Sequence, residues 1–195
     1  MSTDTKTVQQ VSKTKEVAGF FRKSILVSKD VSIRIENNKV IVKGPKAELQ
    51  RAYPSKIIEI VLSDGKLEVK PRDKTAFARM LVGTYLSHIK NMIAGTQNLF
   101  TYTLKIVFTH FPITVVVSGT ELQVQNFLGE KKPRKITLPS GVKVSVQNEF
   151  IKIESADLEL AGKAATLIEQ ATRISGRDRR VYQDGIYITQ KGKGK

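Results

Sequence analysis

Val31-Ser32-Ile33-Arg34-Ile35-Glu36-Asn37-Asn38-Lys39-Val40-Ile41-Val42 reads as a hairpin. Val31, Ile33 and Ile35 alternate with Ser32, Arg34 and Glu36, the period of a half-buried strand. Asn37-Asn38 supplies the turn, because Asn tolerates positive φ, and Val40-Ile41-Val42 returns as the second strand. The same plan comes back 82 residues later, where Ile113, Val115 and Val117 answer Val31, Ile33 and Ile35. Leu122 and Val124 answer Val40 and Val42 at that spacing. Further on, Ile151, Ile153 and Asp157 answer Leu67, Val69 and Asp73 at a spacing of 84. An ordered series of matches across both halves predicts a duplicated domain.

Working outward, Gly44-Pro45 ends the first hairpin. Ile57 to Leu62 reads as a strand, and Ser63-Asp64-Gly65 turns it into a partner carrying Leu67 and Val69. A helix follows. Pro71 and Asp73 are expected at its start, with Asp73 as cap. Phe77, Met80, Leu81, Thr84, Tyr85, His88, Ile89 and Met92 are expected on its inner face, and Gly95 as its C-terminal cap. In the second half, Thr101 to Phe108 alternates, with Tyr102, Leu104, Ile106 and Phe108 on one side. Ile136 and Leu138 precede the turn Ser140-Gly141. Val142, Val144 and Val146 then lead through Asn148-Glu149 into Phe150-Ile151-Lys152-Ile153. A helix from Asp157 turns Ala161, Ala164, Ala165, Ile168 and Ala171 inward.

Strands first and helix last, twice, predicts an α+β chain of two duplicated domains, each a mainly antiparallel sheet with one helix packed on a face. The expected divisions are a flexible polar N-terminal arm at 1–23, a first α+β domain at 24–97, a second at 98–182, and a basic C-terminal tail at 183–195.

The chain has 195 residues, 33 Lys and Arg against 18 Asp and Glu, and a net charge of +15. Charge of that sign and size predicts a polyanionic partner. With no cysteine, disulfide stapling and zinc ribbons are excluded. His88 and His110 are the only histidines and have no metal-ligand spacing, so both read as structural. No apolar run is long enough to span a membrane. The N-terminus lacks the apolar region of a secretory signal, so the protein is expected to stay where it is made. There is no phosphate-cradling Gly-Lys-Ser/Thr loop, no G-x-S-x-G elbow and no H-E-x-x-H. The chain therefore reads as no enzyme, with no metal, cofactor or small-molecule substrate.

The positive signal lies in three basic clusters. Lys131-Lys132-Pro133-Arg134-Lys135 falls in a loop or strand edge. Its rival reading is an edge strand charged against aggregation. Arg173, Arg177, Arg179 and Arg180 follow the last helix. Arginine rather than lysine favours phosphate, since the guanidinium fork fits its oxygens bidentately. Lys191, Lys193 and Lys195 alternate with glycine, a pattern that can thread along a nucleic acid. Tyr182 is placed to stack on a splayed base, whereas Phe127 and Tyr187 read as core or hinge packing. No aromatic platform is expected on the strands. Backbone and shape recognition of folded RNA is therefore the expected mode, rather than reading of single strands.

Five motifs then fall in family order. They are Val40-Ile41-Val42-Lys43-Gly44-Pro45-Lys46, Ser87-His88-Ile89-Lys90-Asn91-Met92-Ile93, Thr109-His110-Phe111-Pro112, Leu128-Gly129-Glu130-Lys131 and Asp178-Arg179-Arg180-Val181-Tyr182-Gln183-Asp184-Gly185-Ile186-Tyr187. From about Ser24 to Gln190 the chain resembles the large-subunit ribosomal protein family called L-six in bacteria and archaea and L-nine in eukaryotes, and more closely its archaeal branch. The resemblance implies a duplicated fold and a structural role on ribosomal RNA near the stalk base and factor-binding region. It implies neighbouring ribosomal proteins as partners, translation factors nearby, no membrane, and a place in the cytoplasmic ribosome. It carries over Gly129, Lys131, Arg179, Arg180, Gly185 and Tyr187 as RNA-binding positions. Lys132, Arg134, Lys135, Arg173, Arg177, Tyr182, Lys191, Lys193 and Lys195 are added on charge and chemistry. The polar arm before Ser24 and Ala47, where a glycine is common, depart from the family pattern. The rival function is a non-ribosomal basic nucleic-acid-binding or chaperone-like module.

Overall fold

The computed structural model describes residues 23–26, 30–63, 65–178 and 180–192. The expected N-terminal arm up to Arg22, the turn residue Asp64, Arg179, and Lys193 to Lys195 lie outside them.

The chain runs through six strands to a helix, and then repeats that order. The first series is β1 (Lys23–Leu26), β2 (Ser32–Glu36), β3 (Lys39–Lys43), β4 (Glu48–Ala52), β5 (Ile58–Ser63), β6 (Lys66–Pro71) and α1 (Ala76–Gln97). The second is β7 (Phe100–Val107), β8 (Thr114–Ser118), β9 (Glu121–Gln125), β10 (Arg134–Thr137), β11 (Lys143–Gln147), β12 (Phe150–Ser155) and α2 (Leu158–Ala171). One strand, β13 (Gly185–Gln190), is left over. All pairings are antiparallel.

The sheets repeat as well. The order β1-β6-β5 returns as β7-β12-β11, and β2-β3-β4 returns as β8-β9-β10. Register is preserved: Ile60 faces Val69 as Val144 faces Ile153, and Val42 faces Ile33 as Val124 faces Val115. Asn37 and Asn38 both take positive φ in the first tight turn, and Gly119 does so in its counterpart. Strands β1 and β4 were not legible in advance, and β10 only as the edge-strand reading of the Lys131–Lys135 cluster. Their few apolar residues leave little alternation to detect.

Compactness and duplication do not share a boundary. One compact unit holds β1, β5, β6 and α1 as far as Ser87, and the other holds β2–β4 and everything from His88 onward. Within the second unit the β3–β4 loop is tied to the end of α1, as Lys46 N–H donates to the Thr96 carbonyl at 3.1 Å. Its principal core joins both sheets of the second half to α2. Leu104, Leu122, Ile151, Ile153, Ile168 and Ile186 are wholly buried there.

Helix α1 differs from expectation in its start, its end and its face. Pro71 closes β6, and Thr75 rather than Asp73 caps the helix, its Oγ1 accepting from Ala78 N–H at 3.2 Å. Gly95 is not a C-terminal cap. The helix continues to Gln97, and a Cβ at Gly95 would lie 1.9 Å from the Ala156 carbonyl oxygen. Gly95 is thus a place where two backbones meet, and only a missing side chain permits it. Ala78, Val82, Leu86, Ile89, Met92 and Ile93 form the buried stripe, while Phe77 and Met80 are exposed. The expected stripe was one position out of phase at its start, because apolar residues at both 77 and 78 fit a helical period. Helix α2 follows expectation. Asp157 caps it, accepting from Glu159 N–H at 2.9 Å, and Ala161, Ala164, Ala165 and Ile168 are buried.

The stretch expected to begin a basic tail enters the sheet instead. β13 pairs with the free edge of β7, from Gly185 opposite Val107 to Ile188 opposite Leu104. Its outward N–H groups are also used. Ile186 N–H donates to Thr172 Oγ1 at 3.0 Å, and Ile188 N–H to Glu169 Oε1 at 3.3 Å. Both acceptors belong to the end of α2, so this edge is not left open for pairing with another chain.

Candidate nucleic-acid interface

The β9–β10 loop turns through Phe127–Gly129, with positive φ at Asn126, Leu128 and Gly129. Asn126 Nδ2 donates to the Pro112 carbonyl at 3.1 Å, and Phe127 drives its ring into the core. Gly129 is needed for its φ of 77°, with the Phe111 ring beside it. Its position is conformational. What it presents to solvent is the pair that follows, Lys131 and Lys132, both exposed.

Arg134, predicted as a phosphate ligand, is committed inward. Its Nε donates to Glu130 Oε2 at 2.8 Å, and its Nη2 donates to Glu130 Oε1. Its Nη1 reaches the Ala171 carbonyl at 2.7 Å. The guanidinium lies 4.3 Å from the centre of the Phe127 ring. Charge-assisted hydrogen bonds satisfy the fork, and the last turn of α2 supplies the carbonyl end of the helix dipole. Arg134 therefore braces the lysine loop against α2. Sequence reasoning counted its charge and could not see its partners.

That brace organises the neighbouring charges. The hydrogen bond from Arg134 is the main reason the Glu130 carboxyl is held below the usual carboxylate range, and the charge of Arg177 adds to it. Arg177 thus stands near enough for its charge to reach Glu130. It also stacks 5.0 Å from the centre of the Tyr182 ring, which is partly exposed. Asp178 closes the turn beneath them, accepting from Arg180 N–H at 2.9 Å through its Oδ1 and from Tyr182 N–H at 2.9 Å through its carbonyl. Arg180 is exposed. The aspartates are thus held by backbone N–H groups. Asp184 is buried and accepts from Thr109 N–H at 2.9 Å, pinning the entry to β13.

Arg173 and Tyr187 come together across a concavity of about 290 Å³ between the end of α2 and β13. The Tyr187 hydroxyl donates to the Gln183 carbonyl at 3.1 Å, and a Cβ at Gly185 would meet its ring at 3.0 Å. Lys135 reaches across from β10 to Glu121 of β9 at 3.4 Å, as an edge-strand charge. Lys191 is not part of this patch. It lies past the far end of β13, beside Lys46 and Lys152.

The strands do carry exposed aromatics, contrary to expectation. Phe150 on β12 and Tyr187 on β13 are both 43% exposed. Phe150 falls in phase with Lys152 and out of phase with Ile151 and Ile153, which was the available signal.

Among the described residues no cluster of His, Cys, Asp or Glu could hold a metal ion, and no helix is long and apolar enough to cross a membrane. His88 is structural in its contacts. Its Nδ1 meets Glu159 Oε1 at 2.9 Å, and Glu159 also takes a two-pronged ion pair from Arg51. Burial first, then the charge of Arg51, pushes the His88 pKa down despite the attraction of Glu159.

The structure is a duplicated α+β scaffold that carries a braced basic surface. The family described as ribosomal protein L6 matches residues 27–98 and 111–185, one segment in each half. The chain is 42% identical over 169 residues to the large ribosomal subunit protein uL6 of Sulfurisphaera tokodaii, covering 86% of this chain and 90% of that relative. It is 44% identical over 169 residues to the protein of the same name from Ignicoccus hospitalis, covering 83% of this chain and 90% of that relative. The chain belongs to the ribosomal protein L6 family.

Proposed function

We propose that the protein is a structural constituent of the large ribosomal subunit, in the cytoplasmic ribosome, and binds ribosomal RNA through phosphate-backbone and shape contacts of its second half. The observation that carries this is the Arg134 brace, which fixes the exposed Lys131-Lys132 loop to the end of α2, from which Arg173, Arg177 and Arg180 follow. Fixed cations on a rigid support neutralise phosphates at small ordering cost. The resemblance in sequence motifs supports a location near the stalk base and factor-binding region, with ribosomal proteins as neighbours. The domain division follows the duplication: 24–97 and 98–182 are the repeated segments, and 183–195 is an addition whose strand β13 completes the second domain's sheet.

The test is affinity for large-subunit ribosomal RNA over a series of salt concentrations. Arg177→Ala with Arg180→Ala is expected to weaken binding and lower the salt slope by up to about 2, one per lost phosphate contact. An unchanged slope rejects phosphate contact by these side chains. Absence of the protein from sedimented large subunits rejects the ribosomal role itself.

A further inference from the structure

The four-stranded sheet β11-β12-β7-β13 has two unlike faces. Leu104, Ile106, Ile151, Ile153 and Ile186 point to the core. The alternate residues on the other face are exposed or only partly buried. Register places Phe150, Lys105 and Tyr187 in one row across three neighbouring strands. The next row, Ser145, Lys152 and Thr103, leads to a third of Lys143, Glu154 and Thr101. Beyond Thr101 and Thr103 the face opens into a groove of about 1060 Å³, rimmed by Lys46, Lys152 and Lys191.

We infer that this open sheet face is a second RNA-binding surface, for unpaired nucleotides, with bases stacking on Phe150 and Tyr187 and phosphates met by Lys105, Lys152 and the lysines of the groove. It rests on the reading of the protein as RNA-binding, and adds a stacking surface that adjoins the arginine patch, the two meeting at Tyr187. Charge selects the occupant. Lysines 46, 105, 143, 152 and 191 face it, against Glu154 as the single carboxylate on these strand positions among the described residues. Such a surface attracts a polyanion, and the aromatic rings among the lysines favour one that carries bases. The geometry suits single strands. Phe150 and Tyr187 stand on either side of β7, about 10 Å apart across two strand spacings. The Lys105 ammonium sits 6.0 Å from the centre of the Phe150 ring, placing a cation beside the stacking plane. Paired bases hide the π-faces that such residues use, whereas splayed bases offer them. Thr101 and Thr103 add hydroxyls that can reach sugar and phosphate oxygens.

The experiment measures binding of the full-length protein to two probes, an unstructured 12-nucleotide oligouridylate RNA and a 12-base-pair RNA duplex. Phe150→Ala is expected to weaken oligouridylate binding about tenfold and leave duplex binding unchanged, while Phe150→Tyr restores it. Lys46→Glu with Lys152→Glu is expected to weaken oligouridylate by a similar factor. Because these side chains are exposed, thermal unfolding midpoints should match the parent protein. Arg177→Ala with Arg180→Ala is expected to act mainly on the duplex. Oligouridylate binding that is absent, or indifferent to Phe150→Ala and to the lysine reversals, while duplex binding persists, overturns this inference and leaves the arginine patch standing. Loss of both probes from the parent protein overturns the RNA-binding reading as well.

Discussion

The first half and the second half share strand order, sheet order and register, yet their loops and edges differ. The β3–β4 connection is four residues long, whereas its counterpart between β9 and β10 is eight and holds the Phe127 turn with Lys131 and Lys132. The outer edge of β1 pairs with nothing among the described residues, whereas the matching edge of β7 receives β13. Duplication therefore supplied a scaffold twice, and the candidate interface was built from what one copy added to it. The helices diverge in the same sense. α1 spans 22 residues against 14 for α2, and its last turns press Gly95 onto the backbone before α2.

The sharpest way to break the comparison is to attack β13. Ile186→Ala is expected to cost about 2–5 kcal/mol, because a wholly buried side chain leaves a cavity. Urea unfolding measures it, and a loss below about 0.5 kcal/mol would mean that β13 is an appendage after all. Next in size is Gly95→Ala, expected to destabilise by about 1–3 kcal/mol, since the added Cβ meets a carbonyl oxygen rather than a side chain that can yield. Gly83, on the same helix, has open space around it, so Gly83→Ala should be neutral or stabilise by up to about 1 kcal/mol. If the two substitutions behave alike, the close approach at Gly95 is not what fixes that residue.

Arg134→Met separates bracing from binding. It is expected to cost about 1–2 kcal/mol of stability through lost hydrogen bonds to Glu130 and Ala171. It should weaken RNA binding without changing the salt slope, unlike the paired change at Arg177 and Arg180. A slope reduced by about one would return Arg134 to the list of phosphate ligands.

The smallest effect concerns Glu159, which joins a strand of the first half to the helix of the second. Its carboxyl is held below the ordinary range, first by the Arg51 hydrogen bond. His88 is also held low, first by burial. For both groups the unfolded chain takes up protons before the folded one, so stability falls with falling pH. The decline begins as pH drops through the ordinary His range near 6.5, and resumes below the ordinary Glu range near 4.3. Glu159→Gln should flatten the lower limb by at most about 1 kcal/mol, because the pair is half exposed to solvent. Unfolding midpoints from pH 3 to pH 8 give the comparison, and an unaltered acid limb removes Glu159 as its source.

Much of the architecture was legible because alternation with period two survives wherever one sheet face is buried. The hairpin at Val31–Val42, its repeat, and the inner face of α2 all carry that signal. β4 was not legible, since Glu48–Ala52 holds few apolar residues, and β10 was read only as a charged edge. Among site residues, composition found Lys131, Lys132, Arg173, Arg177 and Arg180, and the structure leaves all five exposed. Composition also counted Arg134, whose charge is spent on Glu130, and it could not tell that Lys191 lies beside Lys46 and Lys152, past the far end of β13.

The sequence by itself determined the duplication, the antiparallel sheets with their helices, and the basic character of the second half, because these follow from periodicity and charge along the chain. Only the tertiary structure decided which cations face solvent, that Gly185–Gln190 is a strand rather than a tail, and that Phe150, Lys105 and Tyr187 share one open face. Those outcomes depend on pairings between residues 37 to 87 positions apart, and no local pattern encodes the partner that a side chain or strand edge will find.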